Sequence, residues 1–212
     1  MTIFDLLLFL LVLATVVSLL TVAGALLFRR WRTARRLGVG LLSAWVVYLA
    51  AGTVIAAMAP QRVLAIGEDR CFDEMCFAVT GFQRTPAIES PSGTTRARGV
   101  FYIVDARVSS RSLGRAQREA GRKGLMIDEN GNTYDTSNEG MRALASAEGP
   151  LPGLDTEAAP GQSVSTKLVF DVPVDIKGLA FTLGTTIRFF PPRIILGDDE
   201  HFLHKPTIVR LE

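Results

Sequence analysis

The chain has 212 residues, of which 48% are hydrophobic and 21% are charged, and its formal net charge is +2 at pH 7. This composition supports a membrane class for the first part of the chain and an ordinary folded domain for the remainder. Residues up to Pro60 contain five arginines and one aspartate, which leaves 18 basic and 20 acidic residues for the remainder. The sequence therefore predicts no nucleic-acid binding, because that would need basic residues clustered on the folded part.

Two long apolar runs without ionisable residues open the chain, from Leu6 to Phe28 and from Leu37 to Met58. A helix rises about 1.5 Å per residue and the hydrocarbon core of a bilayer is about 30 Å thick, so each run can cross a membrane. We expect a transmembrane hairpin over residues 1–60, with spans at 3–28 and 37–58 and a link at 29–36. Small residues four apart, such as Gly40 and Ala44, would let the two helices pack closely.

The predicted link carries the residues that determine topology, because cationic residues beside a span are retained in the cytoplasm. These residues are Arg29, Arg30, Arg32, Arg35 and Arg36. The sequence thus predicts a cytoplasmic link, both termini outside, and an extracytoplasmic domain over residues 61–212. A cleavable signal peptide is the alternative for the first run, but it would need a basic start and a shorter apolar stretch.

After Pro60 the pattern changes to the alternation typical of strands with one buried face. In the clearest strand, Ser163 to Val172, Phe170 lies on the apolar face and Lys167 on the opposite one. Weaker strand candidates lie at 76–82, 100–108, 125–128, 179–183 and 207–211, and Asn130-Gly131 suits a tight hairpin. Only Asn138 to Glu148 is predicted helical, with Asn138 as N-cap. Short strands at this spacing predict a β-sandwich.

Three segments carry a family resemblance: Gly99 to Ser109, Leu125 to Tyr134, and Pro160-Gly161-Gln162-Ser163 leading into Leu168 to Pro173. Over about residues 70–185 the chain resembles the bacterial telokin-like, immunoglobulin-like domains of unknown function, which decorate lipoproteins and membrane-anchored surface proteins. The resemblance implies a bacterial protein of the cytoplasmic (inner) membrane, an immunoglobulin-like sandwich and no established catalytic residues. A double-span anchor replaces the lipidated cysteine, and the tail from Thr186 onward aligns with no family strand.

Cys71 and Cys76 are the only cysteines, and on the oxidising side of a membrane we expect them to form a disulfide. A zinc site formed with His201 and His204 is the alternative, although neither spacing matches the common structural sites.

Two acidic segments could bind a metal ion or take part in acid–base chemistry. Residues 128–133 with Glu139 resemble a calcium loop, but Thr133 stands where such a loop needs glycine, which favours a hairpin turn. Asp198, Asp199 and Glu200 beside His201 are interpreted as a solvated loop. We predict no metal, no cofactor and no catalytic residue.

Arg111, Arg115, Arg118 and Arg122 would align on one face if their segment were helical, and such a stripe could meet lipid headgroups. Three glycines in the segment favour an extended inter-strand connection.

The sequence as a whole predicts a non-enzymatic, membrane-anchored interaction module, with the lipid bilayer and an envelope protein as partners. A ligand-binding sensor domain that relays occupancy through the hairpin is the alternative, and a hydrolase is a distant third.

Overall fold

A computed structural model describes residues 3–186 and 205–211. The described residues divide into two compact units, 3–61 and 62–186 with 207–211; residues 205 and 206 group with the first. Two apolar helices form the first unit, α1 (Ile3–Leu27) and α2 (Trp31–Met58).

The turn between the helices is much shorter than the predicted link. Arg29, whose φ is 54°, and Arg30 lie in the turn, whereas Arg32, Arg35 and Arg36 lie in the first turns of α2. Arginine is a good helix former, which explains why the helix continues through this cationic stretch. The five arginines nevertheless stay together at one end of the hairpin.

One polar contact joins the two helices. The Trp45 Nε1–H donates a hydrogen bond of 3.0 Å to Thr15 Oγ1, and the Thr15 hydroxyl donates to the carbonyl of Leu11 at 2.7 Å. A Cβ built on Gly40 would meet no heavy atom within 4 Å, so the close helix approach predicted at this glycine is wrong. An aromatic–hydroxyl contact joins the helices instead.

The second unit is a sandwich of two sheets. Its elements in chain order are β1 (Val63–Leu64), β2 (Arg70–Phe72), β3 (Met75–Ser90), β4 (Gly93–Ser110), β5 (Arg122–Ile127), β6 (Thr133–Tyr134), α3 (Asn138–Glu148), β7 (Ser163–Val172), β8 (Ala180–Thr185) and β9 (Ile208–Arg210). One sheet has the order β1-β9-β8-β5-β6 and the other has the order β2-β3-β4-β7. Apart from the parallel pair β1–β9, neighbouring strands are antiparallel. Two apolar helices followed by a β-sandwich domain confirm the predicted fold class.

The main core lies between the sheets. Val104, Met126 and Phe170 have no exposed surface, and the Phe170 and Phe181 rings meet edge-to-face with centroids 6.1 Å apart. Strand β7 has the bounds expected from the sequence, and Phe170 lies on the predicted buried face. The alternation predicted the face that packs in the main core, but Val169 on the opposite face is also fully buried.

A second, smaller core on the outer face of the four-stranded sheet was missed by the sequence analysis. Helix α3 covers Phe101, Ile103 and Val169, the apolar residues that point away from the main core. A Cβ on Gly140 would come within 2.5 Å of Val169 Cγ1, so only glycine lets the helix approach this closely. The N-cap of α3 is Ser137, not Asn138, since the Ser137 Oγ accepts a hydrogen bond from the Gly140 N–H.

Strands β3 and β4 are much longer than predicted and form a hairpin that extends beyond the partner strand β7. The extension was missed because Pro86, at a register shift between Thr85 and Ala87, interrupts the alternation. Ile88 in this extension is buried in the second core. The hairpin extension therefore packs beneath α3.

Truncation of Phe170 to Ala should remove the centre of the main core and lower the free energy of unfolding by about 3 to 5 kcal/mol. Lys167 is three residues away on the other face, where its Nζ contacts Glu148 Oε1 at 2.8 Å. Because this ion pair is partly exposed, Lys167→Ala should cost less than about 1 kcal/mol. Urea unfolding of the full-length protein in detergent measures both, and equal losses would contradict this core.

Candidate functional site

An open groove of about 820 Å³ lies at the end of the sandwich where β7 finishes and α3 begins. Three segments that are far apart in sequence line it. They are Arg98 and Gly99 before the β7-paired part of β4, residues between Tyr134 and Arg142 at the start of α3, and residues between Asp171 and Asp175. Arg98, Asn138, Glu139 and Arg142 are all exposed. We call this the distal groove.

One wall of the groove is held rigidly by Asp171. Its carboxylate accepts hydrogen bonds from the backbone N–H groups of Arg98 at 2.9 Å and Gly99 at 3.1 Å. A Cβ on Gly99 would lie 2.2 Å from the carbonyl oxygen of Val172, so no side chain fits there. Asp171 therefore serves to fix the backbone of the wall.

The opposite wall is the start of α3. The Ser137 N–H donates to the Val169 carbonyl at 2.7 Å, which ties the N-cap to β7. Glu139, in the first turn, places its negative charge where the helix dipole favours it. Both walls are thus part of the folded framework and not loops that must order on binding.

The charges around the groove are predominantly acidic. Four carboxylates, those of Asp135, Glu139, Asp171 and Asp175, face two guanidinium groups, those of Arg98 and Arg142. Asp135 is further paired with Lys123 Nζ at 2.8 Å. Such a surface suits a polar partner that presents cationic groups.

The space between the two sheets is small. An apolar cavity lined by residues such as Leu64, Phe77, Phe181 and Val209 has a volume of about 20 Å³. That is room for about one water molecule. A small-molecule ligand does not fit inside this cavity.

The segment that resembles a calcium loop is a hairpin turn organised by Asp128. Its carboxylate accepts hydrogen bonds from the Asn130 N–H at 2.9 Å, from the Asn132 N–H and side-chain amide at 2.8 and 2.9 Å, and from the Tyr134 hydroxyl at 3.2 Å. Gly131 has a φ of 82°, which the reversal requires. Within residues 3–186 and 205–211, no group of three His, Cys, Asp or Glu side chains is placed to hold a metal ion.

The same hydrogen bonds determine how two groups in this turn titrate. The Asn132 amide lowers the pKa of Asp128, with smaller help from the Asn132 and Asn130 N–H groups and the Tyr134 hydroxyl, against the effect of burial. Burial and the hydrogen bond to Asp128 both raise the pKa of Tyr134. The charged form of Asp128 is therefore the one that holds the turn.

Cys71 and Cys76 are joined by a disulfide and face each other across the β2–β3 hairpin. The bond takes both thiols, which leaves the alternative zinc site without its cysteine ligands. The other residues of that alternative, His201 and His204, and the acidic cluster Asp198, Asp199 and Glu200, lie outside the described residues.

The four arginines between Arg111 and Arg122 do not form a helical stripe. Residues 111–121 form an irregular connection with bends at 113–115 and a turn at 120–121. Three of the four arginines have acidic partners: Arg111 pairs with Asp69, Arg118 with Asp155, and Arg122 with Glu119. The Arg118 guanidinium lowers the pKa of Asp155. The Arg122 guanidinium also lies 3.7 Å from the centroid of the Phe72 ring.

The sequence did not predict the distal groove, although Asn138 and Glu139 were considered for other roles. Arg98, Asp175 and the first turns of α3, with Asn138 and Arg142, come from three separate segments and form no motif together. Only the folding of β4, α3 and β7 brings them together.

No protein family and no curated protein matches this chain. Among solved structures, it is similar to a conserved hypothetical protein from Bacillus anthracis, with 16% identity over 59% of this chain and 91% of that chain and a TM-score of 0.42. An uncharacterized β-sandwich protein from Clostridium difficile has 9% identity over 72% and 95% of the two chains and a TM-score of 0.43. The yjhA protein from Bacillus subtilis has 13% identity over 70% and 98%, with a TM-score of 0.41. The similarity is one of fold, and membership of the telokin-like family stays a prediction.

The Asp128 turn predicts a pH dependence. Because the folded state lowers the pKa of Asp128, its contribution to stability is present above the unfolded pKa of about 3.9 and is lost as pH falls through the folded value. Asp128→Asn should therefore flatten the acid limb of stability. The urea midpoint between pH 7 and pH 2 measures this, with the exposed neighbour variant Glu129→Gln as control. Equal slopes for wild type and Asp128→Asn would contradict it.

Proposed function

We propose that this protein is a membrane-anchored, extracytoplasmic interaction module without catalytic activity. The α1–α2 hairpin holds it in the cytoplasmic membrane of a bacterium, and the sandwich binds an envelope protein through the distal groove. The observation that carries the proposal is the combination of an exposed apolar hairpin with a sandwich that has an open, polar groove with rigid walls.

The surface of the helices supports the anchor. Residues Leu6–Leu27 have a mean hydropathy of 2.9 and Trp31–Ile55 of 1.8, and hardly any of either stretch is buried. Leu20 and Leu42, for example, are 70% and 66% exposed. Apolar surface of this extent supports a hydrocarbon environment, because soluble monomers rarely expose so large an apolar surface.

Charge and redox chemistry support the proposed compartment. Five arginines at the hairpin turn favour a cytoplasmic turn, and the sandwich would then lie on the other side of the membrane. The Cys71–Cys76 disulfide fits this side, since disulfides persist in oxidising compartments.

The groove supports a protein partner over a small ligand. Its carboxylates can accept charge-assisted hydrogen bonds from a cationic surface, its two arginines can donate to acidic or carbonyl groups of the same partner, and its openness leaves such a surface free to dock. A ligand-binding sensor could not hold its ligand between the sheets, because the cavity there takes no more than about one water molecule.

The topology predicts which fusions fluoresce. A reporter active only in the cytoplasm should be dark after Glu212 and bright when inserted between Arg29 and Arg30. Neutral replacement of all five arginines should give a mixed orientation, because the charge bias is gone. The reverse fluorescence pattern would overturn the compartment assignment.

A photo-crosslinking amino acid at Asn138, in the groove, should capture a defined protein partner in intact cells. The same amino acid at Ser165, an exposed residue of β7 outside the groove, is the matched control. Charge reversal by Glu139→Lys should reduce the crosslinked product, because the partner's cations would lose an attractive charge. Equal products at Asn138 and Ser165, or no effect of Glu139→Lys, would contradict the groove as the binding site.

A further inference from the structure

The chain itself restricts how far the sandwich can lie from the end of α2. Four residues, 59–62, separate Met58 at the end of α2 from Val63 at the start of β1. Fully extended, this stretch spans at most about 18 Å between those two Cα atoms. The end of the sandwich at which β1 begins, here called the entry end, is therefore tethered closely to the anchor.

The strand register shows which other strand ends of the five-stranded sheet lie at the entry end. Val63 pairs with Ile208 of β9, and Ile208 pairs with Thr182 of β8. Strand β8 runs on from Thr182 to Thr185, about 10 Å further in the direction from which β1 arrives. Thr185 pairs with Arg122, so β5 starts at the entry end.

Strand ends of the four-stranded sheet also lie at the entry end. The Arg122 guanidinium lies over the Phe72 ring, and Phe72 pairs with Met75. Met75 in turn pairs with Ser110, the last residue of β4. The connection from Ser110 to Arg122 therefore begins and finishes at the entry end.

This connection displays an aliphatic side chain on a fixed turn. Leu113 is 100% exposed, whereas Ser112 beside it is only 5% exposed. The Ser112 hydroxyl accepts hydrogen bonds from the N–H groups of Gly114 at 3.4 Å and Arg115 at 3.3 Å, and donates to the Arg115 carbonyl at 2.7 Å. The Leu113 turn, residues 112–115, thus holds an apolar tip outward.

The charge beside the tip also matters. The Arg111 guanidinium turns back to Asp69 at 3.3 Å, while Arg115 is exposed next to the leucine. A leucine with an adjacent arginine matches the boundary between acyl chains and phosphates of a lipid surface.

We propose that the Leu113 turn docks on the extracytoplasmic face of the bilayer, with Leu113 entering the interface and Arg115 meeting lipid phosphates. The proposal rests on the membrane anchor of the proposed function. A bilayer is favoured over a protein because the tether keeps the turn at high effective concentration near the lipid, so that a single side chain suffices.

The full-length protein in nanodiscs of phosphatidylcholine and phosphatidylglycerol tests this. An environment-sensitive fluorophore is attached to a single added cysteine at Ala116, an exposed residue next to the turn, and quenched by lipids spin-labelled near the headgroup. The same label at Val174, a 63% exposed residue past the far end of β7, is the matched control. We expect quenching and a blue shift at 116 and neither at 174.

Two further variants separate the possible failures. Leu113→Ser should abolish most of the quenching at 116, whereas Val174→Ser should leave it unchanged. A label at Leu13, in the middle of α1, should be quenched by lipids spin-labelled deep in the acyl chains. Quenching at Leu13 without quenching at 116, or a signal at 116 that survives Leu113→Ser, overturns the docking and leaves the anchor intact. No quenching at Leu13 overturns the anchor.

Discussion

The sandwich depends on the burial of both faces of β4. This strand of 18 residues pairs with β3 on one side and β7 on the other. Tyr102, Val104 and Val108 point into the main core, and the alternate residues Phe101 and Ile103 point into the core beneath α3. A strand buried on both faces loses the freedom to slip by one residue, because a slip would exchange the two sets. The register of the whole four-stranded sheet follows from this one strand.

The sequence correctly predicted the elements that have a clear local periodicity. The bounds predicted for strand β7 and helix α3 are those of the structure, and both apolar runs are helices. The Asn130-Gly131 reversal was also found, because its glycine meets a backbone requirement that only a few residues tolerate. These features depend on contacts within a few residues, so the local pattern suffices to predict them.

Features that depend on distant contacts were missed. The extension of β3 and β4 is stable because α3 covers Ile88 from 50 residues away, and no window of sequence contains both. The link was predicted too long for a different reason. The cluster of arginines at 29–36 was interpreted as a loop, but arginine has a high helix propensity and most of this stretch is helical. The distal groove could not be predicted from the sequence, because its charged residues come close together only after β4, α3 and β7 have assembled.

Strand length has a consequence for the electrostatics of the sandwich. The ten residues of β7 run from the entry end to the groove, a rise of about 30 Å. That distance is several times the Debye length, which is about 8 Å at physiological ionic strength, so exposed charges at the two ends are largely screened from one another. The acidic residues of the groove and the exposed Arg115 at the entry end therefore act as independent charged surfaces.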